Sequence, residues 1–156
     1  MHFRMKMKRD IEILLAEDSP SDAFITTEAL KEAKTPNRVH LVQDGVDALA
    51  FLRQEANYAG APRPDIILLD LNMPRKDGRE LLSEIKADPN LKLIPVIVLT
   101  SSSADSDIYK SYELHANCYI TKPSSFTNFK EVIQSIESFW FNSVTLPTNN
   151  VTLPTT

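Results

Sequence analysis

The feature that most constrains this chain is an alternation of short apolar runs with stretches of helical period. Ile13–Ala16, Ile66–Leu69 and Val96–Leu99 are continuous, as strands covered on both faces must be. Val39–Val42 partly alternates, which suits a less buried strand, and Cys118–Ile120 is a short fifth run. The stretches between them begin like helices. Ser19 followed by Pro20 and Asp22 reads as an N-cap, an N1 proline and a capping-box acid, and Asp44 with Asp47 and Asp77 with Glu80 repeat the pattern. Asp105 or Ser106 is placed to cap a fourth helix, and Ser124 or Ser125 a fifth. In the fifth, Phe126, Phe129, Ile133, Ile136 and Trp140 fall at 3-4-3-4 spacing, and Val132 and Phe139 widen the stripe. Five strand–helix units predict an α/β fold of flavodoxin-like type. Its parallel sheet is doubly wound and five-stranded, in order 2-1-3-4-5, with five helices on its two faces.

The domain spans residues 10–141. Residues 1–9 form a basic lead (Arg4, Lys6, Lys8, Arg9) with no acids, read as solvated and disordered. Residues 142–156 hold a near-repeat, NSVTLPT then NNVTLPT, too short for a second domain. They read as a frayed terminus or as an extended arm that pairs with a partner.

Other residue types narrow the chemistry. The net charge is −4 and the basic residues of the lead leave the remainder more acidic still, which argues against nucleic acid. One cysteine, Cys118, allows no internal disulfide and fits a reducing compartment; it reads as a buried small apolar residue. Three scattered histidines argue against a zinc site or a histidine triad, and His115 reads as a surface residue. Three glycines exclude glycine-rich phosphate loops. No apolar run approaches the about 20 residues of a membrane span, so no membrane partner is expected and the cytoplasm is the default.

The strand ends carry the function. The first run ends in Glu17-Asp18, the third in Asp70, the fourth in Thr100-Ser101, and the fifth leads through Thr121 to Lys122-Pro123. In an open parallel sheet these carboxyl ends share one edge, and ligands bind where the strand order reverses, here between the first and third strands. Glu17, Asp18 and Asp70 would converge there. Three close carboxylates repel unless a hard cation joins them, and oxygen ligands suit Mg²⁺. Lys122 adds a fixed positive charge and Thr100 a hydroxyl. One metal, one ammonium and one hydroxyl match the oxygens of a phosphoryl group, which a carboxylate at Asp70 can accept as an aspartyl phosphate. Taken singly each residue has a plainer reading: Asp18 as a helix N-cap, Lys122 as a solvated lysine, Thr100 as a strand end.

The segments LLAEDSPSD, IILLDLNMPRKDG, IPVIVLTSS and YITKP resemble, in order and spacing, the motifs of the response-regulator receiver domain of two-component signalling. The resemblance implies that Asp70 is the phosphoacceptor. It implies that Glu17, Asp18 and Asp70 bind Mg²⁺ with the Asn72 backbone carbonyl, with Mn²⁺ or Ca²⁺ able to substitute in a crystal. Thr100 would be the switch hydroxyl with Ser101 beside it, Lys122 the phosphate-contacting lysine and Tyr119 the switch aromatic. Lys122–Pro123 would be a cis bond. Asn72 and Ser102 stand where the family tunes phosphate lifetime. In the implied switch, Thr100 moves toward the phosphoryl group and the Tyr119 ring turns into the vacated space, although a tyrosine there also simply covers the sheet.

SYELHANCYITK, IESFW, SVTLP and RPDIILLDLN are similar to the small stand-alone response regulators that partner cyanobacterial phytochromes. This implies a sensor histidine kinase, a phytochrome, as phosphodonor, an unidentified downstream protein, and a homodimer. The surface expected for that dimer comprises Ile108, Tyr112, Phe129, Ile133, Trp140 and Phe141, together with the arm, although an aromatic stripe is more often core. The competing function is a phosphohydrolase acting through an aspartyl phosphate. Such enzymes generally need a second acid two residues past the nucleophile, where this chain has Asn72.

Overall fold

The computed structural model describes residues 10–147. The basic lead, residues 1–9, and the second copy of the repeat, in residues 148–156, lie outside the described residues. The elements follow in the order β1 (Ile11–Ala16), α1 (Pro20–Lys31), β2 (Asn37–Val42), α2 (Gly45–Arg53), a short 3₁₀ turn (Ala56–Tyr58), β3 (Ile66–Leu69), α3 (Gly78–Ala87), β4 (Val96–Thr100), α4 (Asp105–Glu113), β5 (Cys118–Thr121) and α5 (Phe126–Ile136). All strand pairs are parallel and the order is β2-β1-β3-β4-β5.

Alternate strand residues feed two cores. Leu14, Ala16, Ile67, Leu69, Val96 and Val98 pack with Ala48 and Leu52 of α2 and Leu81 and Ile85 of α3. Ile13, Leu15, Ile66, Leu68, Ile97 and Leu99 pack on the opposite face with Leu30 of α1 and Phe129 and Ile133 of α5. The caps expected of Ser19, Asp44 and Asp77 form, each side-chain oxygen accepting a backbone N–H of the first turn, and Ser125 caps α5.

Four differences have local causes. β1 starts before Glu12, because the buried Glu12 carboxylate meets His40 Nε2 at 2.6 Å across the sheet. α4 is capped by neither Asp105 nor Ser106; its N-cap is Ala104, which has no side-chain acceptor. α5 gives way after Ile136 to a π-helical segment, Glu137–Ser143. The wider turn places Phe141, five residues on, back in the core with Ile136. The fourth concerns the contact surface: Phe129, Ile133 and Phe141 are core residues, 3%, 0% and 9% exposed, and cannot form a dimer face. Phe129, Ile133 and Ile136 of the 3-4-3-4 stripe cover the sheet, whereas Phe126 at its start is 60% exposed. Ile108, Tyr112 and Trp140 retain exposed surface. The first copy of the repeat is likewise used internally, with Leu146 buried and Val144 packed against the same cluster.

Candidate phosphoryl and metal site

Backbone hydrogen bonds carry the sheet up to the functional residues. The N–H of Glu17 donates to Val42 O (2.9 Å), that of Asp70 to Ala16 O (3.0 Å) and that of Lys122 to Thr100 O (2.7 Å). The ends of β1, β3, β4 and β5 are thereby held on one edge. Gly78, the first residue of α3, lets the helix begin directly against β3. Its N–H donates to Leu71 O at 2.9 Å, and a Cβ there would meet the Asp70 carbonyl and lie 2.6 Å from Leu71 Cα. A side chain at this point would push the Asp70 backbone aside.

Carboxylate oxygens of Glu17, Asp18 and Asp70 all lie within 4.8 Å of one another. Glu17 and Asp70 are buried and Asp18 is exposed at the mouth. Lys122, 9% exposed, reaches in from β5: its Nζ donates to Glu17 Oε1, to Asp22 Oδ2 at 2.9 Å and to Asp70 Oδ2 at 3.0 Å. The other oxygen of Asp70 accepts the Thr100 hydroxyl at 2.9 Å and the Asn72 N–H at 3.1 Å. Ser101 is exposed beside Thr100. Tyr119 donates its hydroxyl to the Ser102 carbonyl at 2.8 Å, so its ring lies against the β4–α4 loop. The peptide bond before Pro123 is trans, as are all bonds among the described residues, which corrects the expected cis bond. Lys122 is aimed instead by its three carboxylate partners.

Asp22 was missed as a site residue. The capping-box pattern accounts for its N–H, which meets Ser19 Oγ, but its carboxylate points to Lys122. The available signal was its place one helical turn beyond Asp18.

Burial, reinforced by neighbouring Asp70, pushes the Glu17 carboxyl up to about 7. Burial also acts to raise Asp70, but a hydrogen bond from Glu17, the Asn72 N–H and the Lys122 ammonium outweigh it and hold Asp70 below the usual carboxylate range. For Lys122, burial opposes the charge, but Glu17, Asp22 and Asp70 overcome it and keep the ammonium charged well above an ordinary lysine. The pocket therefore holds more negative charge than one lysine balances, and at neutral pH Glu17 keeps part of a proton. An all-oxygen donor set with surplus anionic charge fits a hard divalent cation.

A family model for the response regulator receiver domain matches residues 13–134. The response regulator Rcp1 of Synechocystis sp. is 50% identical over 135 residues, covering 86% of this chain and 92% of that protein. The crystal structure of the phosphorylated cyanobacterial phytochrome response regulator RcpA matches with a TM-score of 0.88 at 50% identity, over 90% of this chain and all of that one. The Mn²⁺-bound form of Rcp1 matches with a TM-score of 0.86 at 49% identity, over 88% and 99% of the two chains. The chain thus belongs to the response-regulator receiver domain family and is a response regulator related to those of phytochromes.

Proposed function

We propose that Asp70 accepts a phosphoryl group from the phosphohistidine of a sensor histidine kinase, a phytochrome, and that the chain signals in the cytoplasm through altered contacts with a downstream protein. The observation that carries this reading is the convergence on Asp70 of one ammonium, one hydroxyl and two further carboxylates at the open edge of the sheet. The kinase assignment rests on the likeness to RcpA and Rcp1.

An Asp70 carboxylate oxygen attacks phosphorus, the P–O bond forms as the P–N bond to the donor imidazole breaks, and the imidazole leaves. Asp70 is suited to this because it is held ionised. Lys122 balances charge that builds on the phosphoryl oxygens. Thr100, now bonded to the carboxylate, transfers its hydrogen bond to a phosphoryl oxygen. Glu17, Asp18 and Asp70, with the Asn72 carbonyl, would hold Mg²⁺, which supplies neutralisation of phosphoryl charge when bound. The added charge of roughly −1.5 to −2 biases the position of the β4–α4 loop and Tyr119.

Ile108, Tyr112 and Trp140 are the remaining candidates for a homodimer face, beside the exposed Tyr109 and Phe139. The arm expected to extend it, residues 142–156, runs beyond the described residues after position 147. Incubation with acetyl phosphate and Mg²⁺ should add one phosphoryl group by intact-protein mass, and Asp70→Asn should abolish it. Uptake that survives this substitution refutes the acceptor assignment.

A further inference from the structure

A second chain of polar contacts runs from α3 to β5 without touching Asp70. Arg79, the second residue of α3, holds Asp107 Oδ1 with Nε at 2.9 Å and NH2 at 2.7 Å. Its remaining nitrogen meets Asp77 Oδ2, on the N-cap of its own helix, at 2.9 Å. The other oxygen of Asp107 accepts the Ser102 hydroxyl at 2.6 Å. Ser102 Oγ also accepts the Ala104 N–H at 3.3 Å, and its carbonyl accepts the Tyr119 hydroxyl. The circuit closes when the Tyr119 N–H donates to the Tyr112 hydroxyl at 3.2 Å, back on α4.

Three observations give this circuit a role. α4 begins at Ala104 without a side-chain cap, so its first turn is anchored through Asp107 and Ser102 instead. In the Asp107–Arg79 pair two guanidinium nitrogens share one carboxylate oxygen in a charge-assisted contact between half-buried side chains. The Ser102 hydroxyl hydrogen is spent on Asp107, which leaves the Ser102 carbonyl as the loop's contact with Tyr119. The Ser102 hydroxyl and Asp107 carboxylate that fix the loop are thus themselves fixed from α3.

We propose that Arg79 and Asp107 are positioning residues that lock the β4–α4 loop so that the Ser102 carbonyl captures the Tyr119 hydroxyl, tying the place of that ring to α4 and, through Arg79, to α3. The consequence for signalling rests on the receiver reading: Thr100 and Tyr119 move the α4 face only while the lock holds. Without it, phosphoryl uptake continues and the α4 response is lost.

The test uses the full chain with ¹³C-labelled tyrosine, with the Tyr119 and Tyr112 resonances assigned by Tyr→Phe substitution. In the unphosphorylated, metal-free protein, Arg79→Gln and Asp107→Asn should each shift both resonances. The double variant should shift them no further than either single variant, because both break the same link. A change confined to general stability would move the unfolding midpoint but not these resonances. Unshifted resonances, or additive shifts in the double variant, overturn the lock. With beryllofluoride and Mg²⁺ as a phosphoryl mimic, the wild-type Tyr119 resonance should move and that of the variants should move less than half as far; an equal movement also overturns it. Failure of wild-type Asp70 to take phosphate would sink the receiver chemistry alone, since the comparison in unphosphorylated protein decides the lock independently.

Discussion

Replacing Glu17 by Gln should stabilise the metal-free protein while weakening its hold on Mg²⁺. Glu17 is 3% exposed and its carboxyl is displaced from 4.5 to about 7, by burial first and by Asp70 second. A folded-state value raised in this way means that the folded chain holds the proton more tightly than the unfolded chain. The stability linked to that proton is complete below about 4.5 and is lost as pH rises through about 7. At pH 8, where Glu17 is ionised in both states, the loss reaches roughly 3 kcal/mol; at pH 5 it is under about 1 kcal/mol. Gln removes that loss and keeps an oxygen for Lys122. Urea denaturation in EDTA should therefore show Glu17→Gln more stable than wild type by about 1–3 kcal/mol at pH 8, with the gap shrinking toward pH 5. Millimolar Mg²⁺ should stabilise the wild type more than the variant, because binding to the folded state alone adds to its stability. A variant no more stable than wild type at pH 8 without metal would refute the reasoning, since ionised Glu17 would then be fully compensated by Lys122.

Gly78→Ala should cost about 1–3 kcal/mol, as the new Cβ meets Asp70 and Leu71 backbone, and should slow phosphoryl uptake from acetyl phosphate; unchanged stability and rate would show that the α3–β3 contact tolerates a methyl. Phe129→Ala should lower stability by about 3–5 kcal/mol in thermal or urea unfolding, because it empties a core position. A change in sedimentation with no loss of stability would return Phe129 to the surface. Deleting residues 148–156 should weaken self-association while leaving the unfolding midpoint in place, because Val144 and Leu146 remain to cover the core. Unaltered sedimentation across a dilution series would remove the arm from the dimer.

Most of the site was readable from the chain because its members sit at strand ends, and a parallel sheet brings those ends to one edge whatever the side chains do. Glu17, Asp70 and Thr100 each follow an apolar run directly, and Asp18 and Lys122 stand one residue further on, so locating the strands located the pocket. Asp22 escaped because a helix-start acid has two uses that look alike in one dimension. Arg79 and Asp107 escaped because they are 28 residues apart on different helices, and only the packing of α3 beside α4 makes them neighbours.

By itself, the sequence determined the strand order and the chemistry of the crevice, because hydrophobic period and right-handed crossovers leave few other arrangements for five such units. Tertiary structure decided which aromatics are core and which are surface. A 3-4-3-4 stripe records that one face is apolar, but not what covers it, and the π turn after Ile136 that returns Phe141 to the core has no one-dimensional period to announce it. It also decided where each charge points: besides Glu17 and Asp70, just past β1 and β3, the Lys122 ammonium takes in Asp22 of α1, a contact set by distances through space that spacing along the chain does not encode.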